Sequence, residues 1–211
     1  MVENKLEDDT FLQFGEGNKI AGEGEPNINL GDDAVKHEED KMDFSGKSFS
    51  EILDHFKISL VPNNEVNPNF SSELYTNRYN KFYPGEYTNF GICSIVVLND
   101  INENKQDFTN LLVHLGKLSS INASRSLKLL GVSLFDNKAY LIFEPISSSL
   151  SKKIRESAIE NNGKYIGMFY IIELTMQLHE KNISISDVKD DTILYNKNNE
   201  FRYLVPFSNI K

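Results

Sequence analysis

The hydrophobic pattern of the chain becomes strand-like after about residue 70. Tyr87–Leu98 is rich in β-branched and aromatic residues, which predicts two strands joined by a turn near Asn89–Gly91. Ser126–Leu134 and Lys138–Phe143 are also strand-like, and the Asp136-Asn137 pair between them is typical of a tight turn. We therefore expect a small sheet in this part of the chain.

Helical periodicity appears before and between these strands. Ser48–Phe56 predicts a short helix, because Ser48 can cap its first turn and Glu51 stands at the capping-box position. Glu103–Leu118 predicts an amphipathic helix. Its large apolar residues recur at helical spacing: Phe108, Leu111, Leu112, Leu115 and Leu118.

The pattern of the last third is different. Ser147–Ser149 interrupt the strand pattern, and a helix is expected to begin at Leu150. Tyr165–Leu178 contains one charged residue, Glu173, and has apolar residues on every side. Such a pattern is typical of a helix that is buried on most of its sides.

A polar turn at Asn196–Asn199 separates Ile193–Tyr195 from Phe201–Val205, which predicts a hairpin. The order of elements indicates an α+β fold, with a small sheet lobe followed by a helical lobe. We divide the chain into four segments: a disordered acidic tail (1–46), a linker that can hold a short helix (47–69), the sheet lobe (70–146) and the helical lobe (147–211).

The negative charge is concentrated in the tail. Residues 1–50 hold 13 Asp or Glu against 5 Lys, a balance of −8 within a total of −9. A segment this acidic, with few large apolar groups, favours a flexible tail over the phosphate loop that its Gly-Glu-Gly pieces suggest. The remainder is close to neutral and has no basic patch, which argues against nucleic-acid binding.

Other features narrow the cellular setting. Cys93 is the single cysteine, so an intrachain disulfide cannot form and a zinc site is not expected. The first residues lack the apolar core of a signal peptide, and no run approaches the length of a membrane span. We expect a cytoplasmic protein with no membrane partner.

Five segments match a known pattern in order and spacing. They are Phe82–Tyr87, Cys93–Leu98, Leu127–Val132, Tyr140–Glu144 and the loop that follows Leu178-His179. In these segments the chain resembles a eukaryotic protein kinase, nearest to the tyrosine-kinase-like members, over roughly residues 70–211. The resemblance implies a small β-sheet lobe with an αC helix, followed by a helical lobe.

The resemblance also implies where a nucleotide would be held. A kinase holds the α- and β-phosphates with a strand lysine that pairs with an αC glutamate. The matched register places Val96 at that lysine and His114 at that glutamate. The glycines of the phosphate loop correspond to Tyr75, Asn77 and Asn80, whose side chains would obstruct phosphate. The resemblance therefore implies a degenerate ATP-binding site.

The catalytic loop is only partly retained. The resemblance places Asp187 at the base that orients the substrate hydroxyl and Lys189 at the lysine two residues later. The metal-binding asparagine is replaced by Thr192, and the metal-binding aspartate of the Asp-Phe-Gly motif is replaced by Pro206. Because magnesium requires oxygen ligands, we expect no metal site, and Asp187 is expected to structure its loop.

Two further implications concern surfaces. Phe143 corresponds to the residue that guards the back of the nucleotide pocket, and its bulk would narrow that pocket. The chain ends three residues after Ser208, where a full kinase would continue through further helices. We therefore expect the helix around Phe169–Leu178 to have one uncovered apolar side, a feature that usually indicates a partner.

These features predict a catalytically inactive, truncated pseudokinase that serves as a protein-binding or scaffolding module in signalling. We expect no cofactor and another protein as the partner. One alternative is a weak or unconventional Ser/Thr kinase in which Asp187 acts with ATP and magnesium. Another is a fragment of a larger kinase-like gene product. Val96 and Pro206 argue for the first interpretation over the second.

Overall fold

The computed structural model describes residues 43–76, 80–120, 125–156, 161–180, 189 and 192–204. All of these belong to one compact unit, Asp43–Lys211. Helices and antiparallel sheets alternate along this unit, a mixed architecture that is compatible with the predicted α+β class. The predictions for residues 1–42, and those for Asn77, Asp187 and Pro206, lie outside the described residues.

A six-stranded antiparallel sheet is the larger of the two sheets. Its strands are β1 (Val66–Pro68), β2 (Tyr75–Thr76), β3 (Lys81–Tyr87), β4 (Gly91–Leu98), β5 (Leu129–Phe135) and β6 (Lys138–Phe143). The order is β1-β3-β4-β6-β5, and β2 also pairs with β3. The sequence pattern does not reveal β1 and β2, because they have only three and two residues.

Both hairpin turns that were predicted for the larger sheet are confirmed. The turn between β3 and β4 ends at Gly91, whose φ of +87° favours glycine. Between β5 and β6, Asp136 and Asn137 both have positive φ, 49° and 57°, as a type I′ turn requires. The first turn sets the register that pairs Phe82 with Val96, and the second sets the register that pairs Val132 with Leu141.

The short predicted helix is confirmed as α1 (Phe49–His55). Its capping box is complete, because Glu51 N–H donates to Ser48 Oγ and Ser48 N–H donates to the Glu51 carboxylate. The following segment runs beside β5, where Val61 N–H donates to Val132 O and Val132 N–H donates to Ser59 O. Residues between 49 and 61 therefore contribute to the core of the larger sheet.

The predicted amphipathic helix is present as α2 (Lys105–Ser120). All five large apolar residues that predicted it are buried: Phe108, Leu111, Leu112, Leu115 and Leu118. Helix α1 packs against α2 through a T-shaped contact between Phe49 and Phe108 and through Phe56, which lies against Gly116. The apolar side of α2 is thereby covered by the sheet core and by α1.

A smaller three-stranded sheet lies in the second part of the chain. It consists of β7 (Ile146–Ser149), β8 (Ile193–Asn196) and β9 (Phe201–Tyr203), in that order and antiparallel. The predicted hairpin is β8–β9. The interpretation of Ser147–Ser149 as an interruption is wrong, because β7 pairs with β8 and the Ser147 hydroxyl donates to Asn196 O at 2.7 Å.

Two helices lie between β7 and β8, namely α3 (Leu150–Arg155) and α4 (Asn161–His179). The prediction that α4 is buried on most sides is wrong. Only Leu174 and Leu178 are buried among its described side chains, while several large apolar residues face solvent. In the described part of the chain, no helix combines the length and the apolar character needed to cross a membrane.

Candidate functional site

Val96 lies in the middle of β4 and is fully buried. Its side chain belongs to the main core, together with Phe82, Leu112 and Leu141. A charged group at this position would need a buried partner to offset the loss of hydration. Val96 therefore contributes apolar packing at the place where the resemblance implies a phosphate-binding lysine.

His114 lies on α2 and is partly buried. Burial lowers the pKa of its imidazole, and the nearby positive charge of Lys117 lowers the pKa further. The ring is therefore neutral at neutral pH. His114 provides no carboxylate, so the two positions that the resemblance pairs hold no opposite charges.

Aromatic side chains fill the inner side of β3 and β6. Phe143 is 1% exposed, and its ring centroid lies 6.1 Å from that of Phe82, which is fully buried. The centroid of the Tyr75 ring lies 5.9 Å from that of Phe82. Phe143, which the resemblance places behind a nucleotide pocket, thus packs into a continuous row of three aromatic rings.

A buried hydrogen bond lies beside this aromatic row. Ile146 N–H, three residues after Phe143, donates to Ser94 Oγ at 2.9 Å. Ser94 is fully buried on β4. The backbone donor of Ile146 is therefore already satisfied inside the protein and is not offered to a planar ligand such as a nucleobase. The sequence analysis did not identify Ser94, because a serine in an apolar strand is a weak signal.

Lys189 and Thr192, from the loop that resembles a kinase catalytic loop, form a local turn. Thr192 is buried, and its hydroxyl donates to Lys189 O at 2.8 Å while accepting from Lys189 N–H at 3.0 Å. Thr192 O accepts from Leu204 N–H at 2.8 Å, which joins this turn to the end of β9. The Thr192 hydroxyl thus closes a local turn at the position where the resemblance implies a metal-binding asparagine.

Helix α4 presents a large apolar surface to solvent. We define the α4 face as its five exposed side chains on one stripe: Tyr165, Met168, Phe169, Ile172 and Met176. Each of them is more than half exposed, between 56% and 73%. A contiguous surface of this kind is uncommon on soluble monomers and usually indicates a contact site. The predicted uncovered side of this helix is present.

The opposite side of α4 is held firmly by its own chain. Leu174 and Leu178 are each 1% exposed and join the main core. Arg125 forms an ion pair with Glu173 at 3.3 Å, and its guanidinium lies 3.7 Å from the Tyr170 ring centroid. The α4 face is therefore carried on an anchored helix, which fixes the backbone positions of its five residues.

A polar network missed by the sequence analysis joins the end of β6 to the β8–β9 hairpin. Arg202 Nε donates to Glu144 Oε1 at 2.8 Å, and both side chains are nearly buried. The same carboxylate accepts from Lys128 N–H at 3.0 Å and from Asn196 Nδ2 at 3.2 Å. Three donors are satisfied together by the two oxygens of one carboxylate, so this network has a structural role.

The single cysteine does not add a reactive group. Cys93 is 1% exposed in β4, and burial together with the negative charge of Glu86 raises its pKa to about 11. Its thiol is therefore protonated at neutral pH and shielded from reagents. Among the ranges that the structure describes, no group of three or more His, Cys, Asp or Glu is arranged to hold a metal ion.

Comparisons with known proteins were made for the whole chain. No protein-family model matches it. No curated protein matches it significantly. The residues and contacts above are therefore the basis for the function proposed next.

Proposed function

We propose that this chain is a catalytically inactive, protein-kinase-like domain that acts as a protein-binding module in signalling. The α4 face is the observation that carries the proposal. Its five large apolar side chains lie on one stripe of a helix whose other side is fixed in the core. Desolvating such a surface against another protein releases free energy in proportion to the apolar area that is buried.

The loss of catalysis is supported by the environment of each described kinase-like position. Phosphoryl transfer depends on positioning and on positive charge around the phosphate groups. Val96 brings no charge to β4 and is enclosed by apolar side chains. The Thr192 hydroxyl is engaged in closing its own turn, and Phe143 packs against Phe82. These contacts favour a structural role for the residues that replace the catalytic ones.

The location of the α4 face also supports a binding role. Other large apolar residues are exposed on separate strands and loops, for example Ile92 at 69% and Phe135 at 55%. Single exposed residues of this kind are normal on protein surfaces. On α4 the exposed residues instead repeat within one helix and form a surface that a partner helix or sheet could cover.

Nucleotide binding provides the first test. We expect no increase in melting temperature when millimolar ATP and magnesium are added. A ligand present at 100 times its dissociation constant would raise the stability by about 2.7 kcal/mol, which a thermal-shift measurement detects readily. A clear magnesium-dependent increase would contradict the inactive assignment.

Phosphotransfer from labelled ATP provides the second test. We expect the parent and the Asp187→Ala variant to give the same background signal, because no lysine or metal positions a phosphoryl group for Asp187. The Val96→Lys, Pro206→Asp double variant is also expected to remain inactive, since Thr192 still replaces the asparagine. Phosphorylation by the parent that Asp187→Ala abolishes would favour the kinase alternative.

Protein binding is tested by comparing two double variants with the parent in quantitative co-purification. Phe169→Ser, Ile172→Ser changes the α4 face, while Ile92→Ser, Phe135→Ser removes two side chains of similar exposure from the larger sheet. We expect the first variant to lose a partner that the parent and the second variant retain. Equal recovery with all three proteins would exclude the α4 face as the binding surface.

A further inference from the structure

The spacing of the exposed residues on α4 defines the kind of contact that this surface can make. Tyr165, Phe169, Ile172 and Met176 are separated by four, three and four residues. This is the heptad spacing by which one helix packs lengthwise against another. The stripe extends over about 16 Å of the helix axis, which allows two pairs of facing side chains on each side of its midpoint.

The stripe is symmetric about the midpoint between positions 170 and 171. If two copies of α4 lie antiparallel across a two-fold axis at that midpoint, Tyr165 faces Met176 of the other copy, and Phe169 faces Ile172. Each aromatic ring then meets an aliphatic or thioether side chain instead of a second bulky ring. Methionine sulfur makes favourable contacts with aromatic rings. The surface is therefore self-complementary, as a two-fold interface requires.

No like charges oppose this pairing in the described part of α4. Glu173, on the flank of the stripe, is ion-paired with Arg125 of its own chain. Ile166 on one flank of the stripe and Thr175 on the other are exposed and uncharged. An uncharged centre is typical of stable helical interfaces.

The available area reaches the lower limit for a stable dimer. With about 120 Å² from each large side chain at these exposures, complete burial of all five side chains of the α4 face would cover at most roughly 600 Å² per copy. A symmetric pair would then bury up to about 1,200 Å², the lower limit of the range of about 1,200–2,000 Å² for stable interfaces.

We propose that the occupant of the α4 face is a second copy of this chain, in an antiparallel α4–α4 homodimer. This inference rests on the proposed binding function and names its partner. The dimer buries Phe169 and Ile172 of both copies at its centre. It places Tyr165 of one copy beside Met176 of the other at both ends.

Sedimentation velocity of the full chain over a wide concentration range tests the oligomeric state. We expect a concentration-dependent dimer for the parent and for the Ile92→Ser, Phe135→Ser control. Phe169→Ser should raise the dimer dissociation constant by roughly 30-fold, the effect of a central hot-spot residue. Because Phe169 is 65% exposed, the melting temperature of the dilute variant should stay unchanged, which separates loss of contact from misfolding. A parent that remains monomeric up to about 200 µM overturns the homodimer, since a dissociation constant far above 1 µM leaves little binding free energy.

Cysteine cross-linking tests the antiparallel orientation. A Tyr165→Cys chain is mixed with a Met176→Cys chain and oxidised; the buried Cys93 does not compete. We expect the mixed disulfide to dominate. In the antiparallel pair two copies of position 165 lie about 16 Å apart along the axis. That separation exceeds the limit of about 7 Å for a disulfide. Dominant 165–165 disulfides would overturn the proposed arrangement.

The two proposals can fail separately. A monomeric parent that still loses a co-purifying protein on Phe169→Ser, Ile172→Ser overturns the homodimer and supports binding of a different protein. A dimer that is insensitive to Phe169→Ser overturns the role of α4 in self-association. Magnesium-dependent ATP binding would contradict the inactive assignment without affecting the dimer.

Discussion

Helices α2 and α4 are of similar length but have opposite relations to solvent. The 16-residue α2 buries one apolar side under α1 and the larger sheet and exposes polar residues on the other. The 19-residue α4 has apolar residues on both sides but buries only Leu174 and Leu178 among its described side chains. The difference shows that a helix with apolar residues on both sides can have one of them covered by its own chain and the other exposed to solvent.

The two helices are also fixed by different forces. Helix α2 is held almost entirely by apolar packing, including the fully buried Phe108 and Leu112. Around α4 and the smaller sheet, packing is supplemented by charged contacts of Arg125 and Arg202. Changes in α2 should therefore reduce stability, whereas changes on the exposed side of α4 should alter association.

The largest expected effect comes from truncating a buried residue of α2. Leu112→Ala should lower the free energy of unfolding by about 2–5 kcal/mol, because it removes transfer energy and leaves a cavity. Ile172→Ala on α4 removes a side chain that is 56% exposed and should change the stability of the monomer by less than about 0.5 kcal/mol. Urea unfolding at low protein concentration measures both values. Equal losses would mean that α4 is packed as tightly as α2.

The second effect concerns the charged network beside the smaller sheet. Arg202→Met should cost about 2–3 kcal/mol, since it leaves the Glu144 carboxylate nearly buried without its strongest partner. Glu144→Met added to Arg202→Met should recover part of the loss, because it removes the unpaired charge. If the double variant is as unstable as the sum of the two single variants, the pair is not coupled.

Two glycines sharpen the comparison, because substitution by alanine should change the stability of the protein in opposite directions at the two positions. A Cβ at Gly116 of α2 would lie 2.2 Å from the Phe56 ring, so Gly116→Ala should destabilise the protein by about 1–3 kcal/mol. A Cβ at Gly167 of α4 would meet nothing within 4 Å, so Gly167→Ala should stabilise by up to about 1 kcal/mol through helix propensity. Thermal melts of both variants give the signs. Stabilisation by Gly116→Ala would show that Phe56 moves aside at little cost.

Much of the larger sheet and of helices α1 and α2 could be predicted, because these elements depend on sequence patterns over a few neighbouring residues. The Asp136-Asn137 turn, the Ser48 cap and the periodicity of α2 each depend on residues close in sequence. Strand β7 could not be predicted, since its serines are ordered by pairing with β8, which begins 44 residues after its last residue, Ser149. Long-range pairing of short polar strands has no local pattern.

The candidate site was predictable in part. The uncovered side of α4 was expected, but its extent was not, because an apolar pattern alone does not indicate which sides are covered. Ser94 and the Glu144–Arg202 pair were missed, since their partners lie 52 and 58 residues away in sequence. The loss of kinase function at Val96 and Thr192 remains a prediction that the nucleotide and phosphotransfer measurements will test.

The smallest expected effect is a pH dependence that arises on α2. Burial and Lys117 lower the pKa of His114 below its ordinary value of 6.5, so folding favours the neutral ring. Above pH 6.5 the ring is neutral in both the folded and the unfolded chain, and the stability that depends on the neutral ring is fully present. As the pH falls below 6.5, the unfolded chain binds the proton more readily than the folded one, and stability is lost until the pH passes the lower folded pKa.

His114→Gln isolates this contribution, because it removes the titrating ring and keeps a polar side chain of similar size on α2. Urea unfolding of the parent and the variant between pH 5 and 8 should give a difference in stability that is constant above about pH 6.5 and shifts in favour of the variant below it. The carboxylates titrate in both proteins and cancel in this difference. The sign follows from burial on α2: a solvent-exposed histidine beside a carboxylate would shift the difference in the opposite direction. A difference independent of pH would mean that solvent reaches the His114 ring freely.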